Sequence, residues 1–191
     1  MGRWSITEAK AIAVGLLNGL EPRLTHVCSA GEKAKRLAPR LFPDKAEQEL
    51  VVAAVWLHDI GYSAALVQTE FHPLDGARYL LSQGQAELAS LVAYHSDARE
   101  QATGLGLLAE LQTIPPTTHP LHQLFVDGMD GTTGPHGETF TVDERIAEVA
   151  ERYGADHRVT QAMMQARTRL VSAERILVKC LDRTDLIGQE G

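Results

Sequence analysis

Apolar residues recur at three- and four-residue intervals along this chain, and no segment alternates in steps of two over the length of a strand. The spacing predicts helices throughout. A first helix is expected over Thr7–Leu17. A second runs from Pro22 to about Ala38, with Leu24, Val27, Ala34, Leu37 and Leu41 on one stripe and His26 at its edge. The third opens with Pro43 and an Asp-x-x-Glu capping pattern, Asp44 and Glu47. Its run LVVAAVWL, from Leu50 to Leu57, is apolar on every side. Such a run would also suit a buried strand. The cap, the pair Ala53–Ala54 and the total length favour a helix, the most buried of the fold, with Gly61 as its stop.

Further along, His72 precedes Pro73, which places it at the mouth of a helix reaching about Ser82 and closed by Gly84. Leu88, Leu91, Val92 and His95 follow i, i+3, i+4, i+7 spacing, so His95 is expected on the apolar face at that helix's C-terminal end. One helix is expected from Arg99 to Leu111. Another carries Leu121, Leu124 and Phe125 and ends at Met129–Asp130–Gly131. A capping box at Thr141 and Glu144 opens a helix that stops at Gly154. The last helix carries a stripe of Val159, Met163, Ala166, Leu170, Ala173, Leu177 and Cys180. IPPTTHP and GTTGPHGE read as turns. Without repeats or linkers, residues 1–191 read as one all-α, single-domain helical bundle.

Composition narrows function more than fold. The net charge of -7 argues against a broad nucleic-acid surface, though not against a local basic pocket. Cys28 and Cys180 form neither a disulfide framework nor a CxxC pair, which points to a reducing, cytoplasmic setting. The apolar N-terminal patch is broken by Glu8, Lys10 and Asn18, so neither a signal peptide nor a membrane span is expected.

The eight histidines carry the chemistry. His58 and Asp59 end the most apolar helix, where polar groups are costly unless something compensates them. Taken with His26, His72, His95 and Asp130, they offer imidazole and carboxylate ligands for divalent transition metals. Each has a plainer reading alone. His95 suits a hydrogen-bonded core histidine, His72 a helix start, His26 and Asp59 boundary positions, and Asp130 an Asp-Gly turn. Asp127 competes with Asp130, because residues three apart share a helix side. His119, His122, His136 and His157 read as surface residues. Arg23, Lys33, Arg78 and Arg99 are the nearest cations in sequence, and Arg99 is the first choice to hold a phosphate.

The order of these residues resembles the HD-domain superfamily of metal-dependent phosphohydrolases. LTHVCSAGEKAKRLA resembles its first helix, with His26, and AAVWLHDIGY its signature helix, with His58 and Asp59. FHPLDGARYLL and LVAYHS resemble the two added-histidine segments of a two-metal subgroup, with His72 and His95. MDGTTGP resembles the closing aspartate segment, with Asp130. The likeness spans about residues 23–135, with the helices of 141–185 packing on that core. It implies one or two divalent ions (Fe, Mn, Co, Zn or Mg) held by His26, His58, Asp59, His72, His95 and Asp130. It also implies hydrolysis of a phosphate ester or anhydride of a small molecule, with nucleotides among the candidates. Asp59, His72 and His95 are then the candidate catalytic groups, with Arg23, Tyr62 and Arg99 touching substrate. Tyr62 stands where many members carry lysine. That keeps open a di-iron oxygenase on the same scaffold, and a ligand-binding module without turnover is the other rival. The last helix is either an intramolecular packing element or a homodimer seam.

Overall fold

The computed structural model describes residues 2–185, and side chains as far as residue 179. Among the described residues the chain forms ten α-helices and no strand. They are α1 (Ile6–Leu17), α2 (Arg23–Leu41), α3 (Lys45–Leu57), α4 (His72–Ser82), α5 (Ala86–Ala93), α6 (Ala98–Leu105), α7 (Leu108–Leu111), α8 (Pro120–Gly131), α9 (Val142–Tyr153) and α10 (Arg158–Asp185). A 3₁₀ turn, Ile60–Tyr62, follows α3. The fold is all-α, as the apolar spacing predicts.

The centre is α3, with Leu50 through Leu57 buried on all its sides. It lies between α1, α2, α5 and α8. α2 packs very closely on it: a Cβ on Gly31 would stand 2.3 Å from the Trp56 indole. Phe42 and Phe125 meet edge to face, with centroids 5.4 Å apart, at the α2–α8 side of this core. A smaller apolar cluster joins α9 to α10 through Val142, Ile146, Val149, Met163, Ala166 and Leu170. The stripe of α10 is thus turned inward onto α8 and α9, with Leu177 against Gly128. Cys180 belongs to the expected stripe but lies outside the described side chains.

Local chemistry explains the helix starts. Ser5 with Glu8, and Thr141 with Glu144, close full capping boxes. Asp44 caps α3 by accepting from the Ala46 and Glu47 amides. Glu47 does not complete that box, because its carboxylate turns to His122 Nε2 at 3.0 Å. Three expectations need correcting. The helix expected over Arg99–Leu111 is broken at Gly106, which adopts φ 73 and ends α6 with a left-handed cap. α2 does not stop at Ala38 but continues through Pro39 to Leu41. His95 lies two residues beyond α5, whose last residue is Ala93. No described helix is long and apolar enough to cross a membrane.

Candidate metal centre

Helix ends bring the polar residues to one place. His26 lies in the first turn of α2. His58 caps α3, and Asp59 precedes the 3₁₀ turn. His72 is the first residue of α4, ahead of Pro73. His95 follows α5, and Asp130 lies in the last turn of α8.

The histidines are aimed by their own backbones. The last carbonyls of a helix lack intrahelical partners. His58 Nδ1 donates to the Val55 carbonyl at 2.7 Å, and His95 Nδ1 to the Val92 carbonyl at 2.6 Å. Both use the same device at a helix C-terminus, a ring N–H returned to the carbonyl three residues back. His26 Nδ1 donates to the Gly134 carbonyl at 3.2 Å. With Nδ1 occupied in this way, each ring directs Nε2 to the centre, which is how metal-ligating histidines are commonly oriented.

Two ligand sets result. In one, the ligand atoms of His26, His58 and Asp130 all lie within 4.8 Å of one another; in the other, those of Asp59, His72 and His95 do. His26 Nε2 is 3.2 Å from His58 Nε2 and 3.1 Å from Asp130 Oδ1. His72 Nε2 is 3.2 Å from His95 Nε2. Asp59 joins the sets. Its Oδ2 faces His58 at 3.3 Å and His26 at 3.9 Å, while its Oδ1 faces His72 at 3.2 Å and His95 at 4.0 Å. Four imidazoles and two carboxylates fit divalent transition metals in number and kind.

The charges favour cations too. Burial alone would raise the Asp59 carboxyl, but Arg23, His58 and His72 hold it well below the usual carboxylate range. Asp130 is likewise held low against its burial by His26 and His58. Burial lowers His72, and it lowers His95 to about 4 with the help of the neighbouring His58 and His72 rings. His58 rises, to about 10, since Asp59 and Asp130 outweigh its burial. Two carboxylates therefore remain ionised beside the neutral imidazoles of His72 and His95.

A second layer sets Asp130 and His95. The Ser96 hydroxyl donates to Asp130 Oδ2, leaving Oδ1 for the histidines. Ser96 has φ 48, a conformation costly for a residue with a side chain. It is held there on both sides: its amide donates to Asp127 Oδ1 at 2.8 Å, and its carbonyl accepts from the Arg169 guanidinium. Arg169 Nη1 also donates to Asp127 Oδ2 at 2.6 Å. Asp127 thus spends its oxygens on Ser96, Gln123 and Arg169, and Asp130 is the carboxylate that meets the histidines.

The sequence-derived cations divide. Arg23 Nη1 donates to Asp59 Oδ2 at 2.7 Å, and its guanidinium lies 4.2 Å over the Tyr62 ring. Tyr62 in turn stacks on His72, with centroids 4.0 Å apart. Arg99 is not at the centre. It is exposed, its guanidinium lies over the Tyr94 ring, and among the described residues it bonds to none of the six. Arg78 pairs with Glu110, and Lys33 binds Thr132. His122 is corrected from surface to core: it is 4% exposed, with its ring edge to face with Phe42. The cavity of about 420 Å³ beside it holds none of the six.

Ser96, Arg169, Arg145 and Arg152 are the residues near the centre that sequence reasoning missed. Ser96 follows His95 directly, but its bonds to Asp127, Asp130 and Arg169 span 31 to 73 residues, which no local spacing encodes. The family model described as HD domain matches residues 23–186 of the chain. No curated protein and no solved structure matches it.

Proposed function

The chain belongs to the HD domain family, and from that premise we propose that it hydrolyses phosphate esters or anhydrides with two divalent ions. One observation carries the reading: the two oxygens of Asp59 face separate histidine pairs. His26, His58 and Asp130 would hold one ion, His72 and His95 the other, and Asp59 both. Divalent ions bound there supply a strongly acidified water at neutral pH and neutralise phosphoryl oxygens during in-line attack.

The chain's own residues position the reaction. The three ring N–H bonds to backbone carbonyls keep the Nε2 atoms convergent, so no side chain has to reorganise. Arg23 reaches Asp59 from the open side, its side chain 27% exposed, and its remaining N–H groups are free to meet a phosphoryl oxygen. Tyr62 walls His72 from solvent by stacking on it. Asp130 is kept from rotating by the Ser96 hydroxyl.

The test is phosphate release from a panel of small phosphate esters and anhydrides, with protein loaded in turn with Mn, Co, Fe, Mg and Zn. Wild-type protein is expected to turn over at least one member. Asp59→Asn is expected to lose at least about a hundredfold of that rate, more than a change behind the ligands would cost. Iron-loaded protein that consumes oxygen and releases no phosphate would contradict the reading in favour of a di-iron oxygenase.

A further inference from the structure

A cavity of about 260 Å³ opens beside the centre, and Arg23, His26 and Tyr62 form its inner wall. α9 forms the outer wall with Arg145, Arg152 and Tyr153. Arg145 is only 7% exposed, yet a single hydrogen bond engages it, from Nη1 to the Glu148 carboxylate. A guanidinium carries five N–H donors and keeps its charge at any ordinary pH. Its unused nitrogens are not sealed from solvent. Glu148 also takes Arg152, at 3.1 Å. Two cations therefore share one carboxylate, and spare guanidinium N–H donors border the cavity. Arg152 is held in direction by the Tyr153 ring, 4.5 Å below its guanidinium. Glu21 also lines the cavity, but its carboxylate is engaged by the Thr25 hydroxyl at 2.7 Å.

We infer that this cavity receives the non-reacting end of the substrate, and that this end carries an acidic group of its own, held by Arg145 and Arg152. The inference rests on the hydrolase reading for the end that reacts. Size sharpens the class. Cavities that enclose a drug-sized ligand run to about 300–1,000 Å³, and this one falls below that range. The substrate is a small organic phosphate with an anionic group at each end.

Binding of non-cleavable phosphonates tests this. Propylphosphonate has a neutral far end; 3-phosphonopropionate ends in a carboxylate and propane-1,3-bisphosphonate in a second phosphonate. Calorimetric titration of wild-type protein should find at least one two-ended anion bound about tenfold more tightly than propylphosphonate, as a charge-assisted contact predicts. The two arms distinguish a carboxylate from a phosphate partner. Arg145→Gln and Arg152→Gln should each bring that preference below about threefold. Arg145 is buried, so Arg152→Gln decides the matter if Arg145→Gln does not fold. Equal binding of all three probes by wild-type protein, or a preference unchanged in Arg152→Gln, overturns the inference. Metal content is measured on the same samples. Protein without metal contradicts the hydrolase reading, and the preference is still read, because Arg145 and Arg152 lie outside the ligand sets. Metal-loaded protein without the preference contradicts only the present inference.

Discussion

Asp59 serves both histidine pairs because the chain turns sharply at the end of α3. The helix stops at Leu57, and the 3₁₀ turn starts at Ile60. Gly61 makes the turn sterically feasible: a Cβ there would lie 2.0 Å from the His72 carbonyl oxygen and 2.7 Å from the Gly76 amide nitrogen. The contact is backbone on backbone, so no side chain can yield. Gly61→Ala must push α4 away from α3, and His72 with it. Overpacking of this kind costs ~1–3 kcal/mol. Thermal unfolding of the variant should show a Tm lower by several degrees, with weaker metal retention; an unchanged Tm would show that the turn accommodates a side chain. The pair His58–Asp59 was legible as costly polar groups on an apolar helix. Gly61 was legible only as a helix stop, since its approach to His72 is set by packing.

At the scale of elements, the centre is built from helix ends. Five of the six polar residues cap, open or follow a helix, or lie in its last turn. The spacing of apolar residues and the capping patterns reveal such ends, so the placement of His58, His72 and Asp130 was readable. His95 was placed within α5, because i+7 spacing continues a helix on paper whether or not the backbone does. The break at Gly106 was hidden in the same way. Another contact between elements, from α2 to the turn after α8, is invisible in sequence: Lys33 Nζ donates to Thr132 Oγ1 at 2.6 Å. Burial, aided by Arg36, lowers the Lys33 amine to about 8 from an ordinary value of 10.5. Above pH 8 the folded chain has released a proton that the unfolded chain keeps until about pH 10.5. Stability from this group therefore rises with pH across that window. The charged amine costs about 2 kcal/mol at pH 7, after a discount for solvent around a half-buried group. Lys33→Met should gain stability over wild type at pH 7 in urea unfolding, and the gain should shrink towards pH 10. A gain that is constant with pH would refute the assignment.

For the whole molecule, the all-α bundle and the order of its polar residues were legible because both are local. Helical periodicity recurs every few residues, and His26, His58–Asp59, His72, His95 and Asp130 each sit in a short recognisable segment. What holds them in place was not legible. Arg169 reaches Ser96 across 73 residues. Nor was the cavity beside them, which Arg145 and Arg152 line from α9, an element packed on α10. Arg99 was favoured for its nearness to His95 in sequence, yet α6 turns it outward onto Tyr94.

Whether Asp59 ties two ion sites together is decided by the metal stoichiometry of the native protein, read by elemental mass spectrometry. Wild-type protein should hold about two divalent ions per chain, His95→Gln about one and Asp59→Ala almost none, because one carboxylate serves both sets. Wild-type protein that binds no divalent ion on reconstitution, or Asp59→Ala protein that keeps both, would contradict that arrangement.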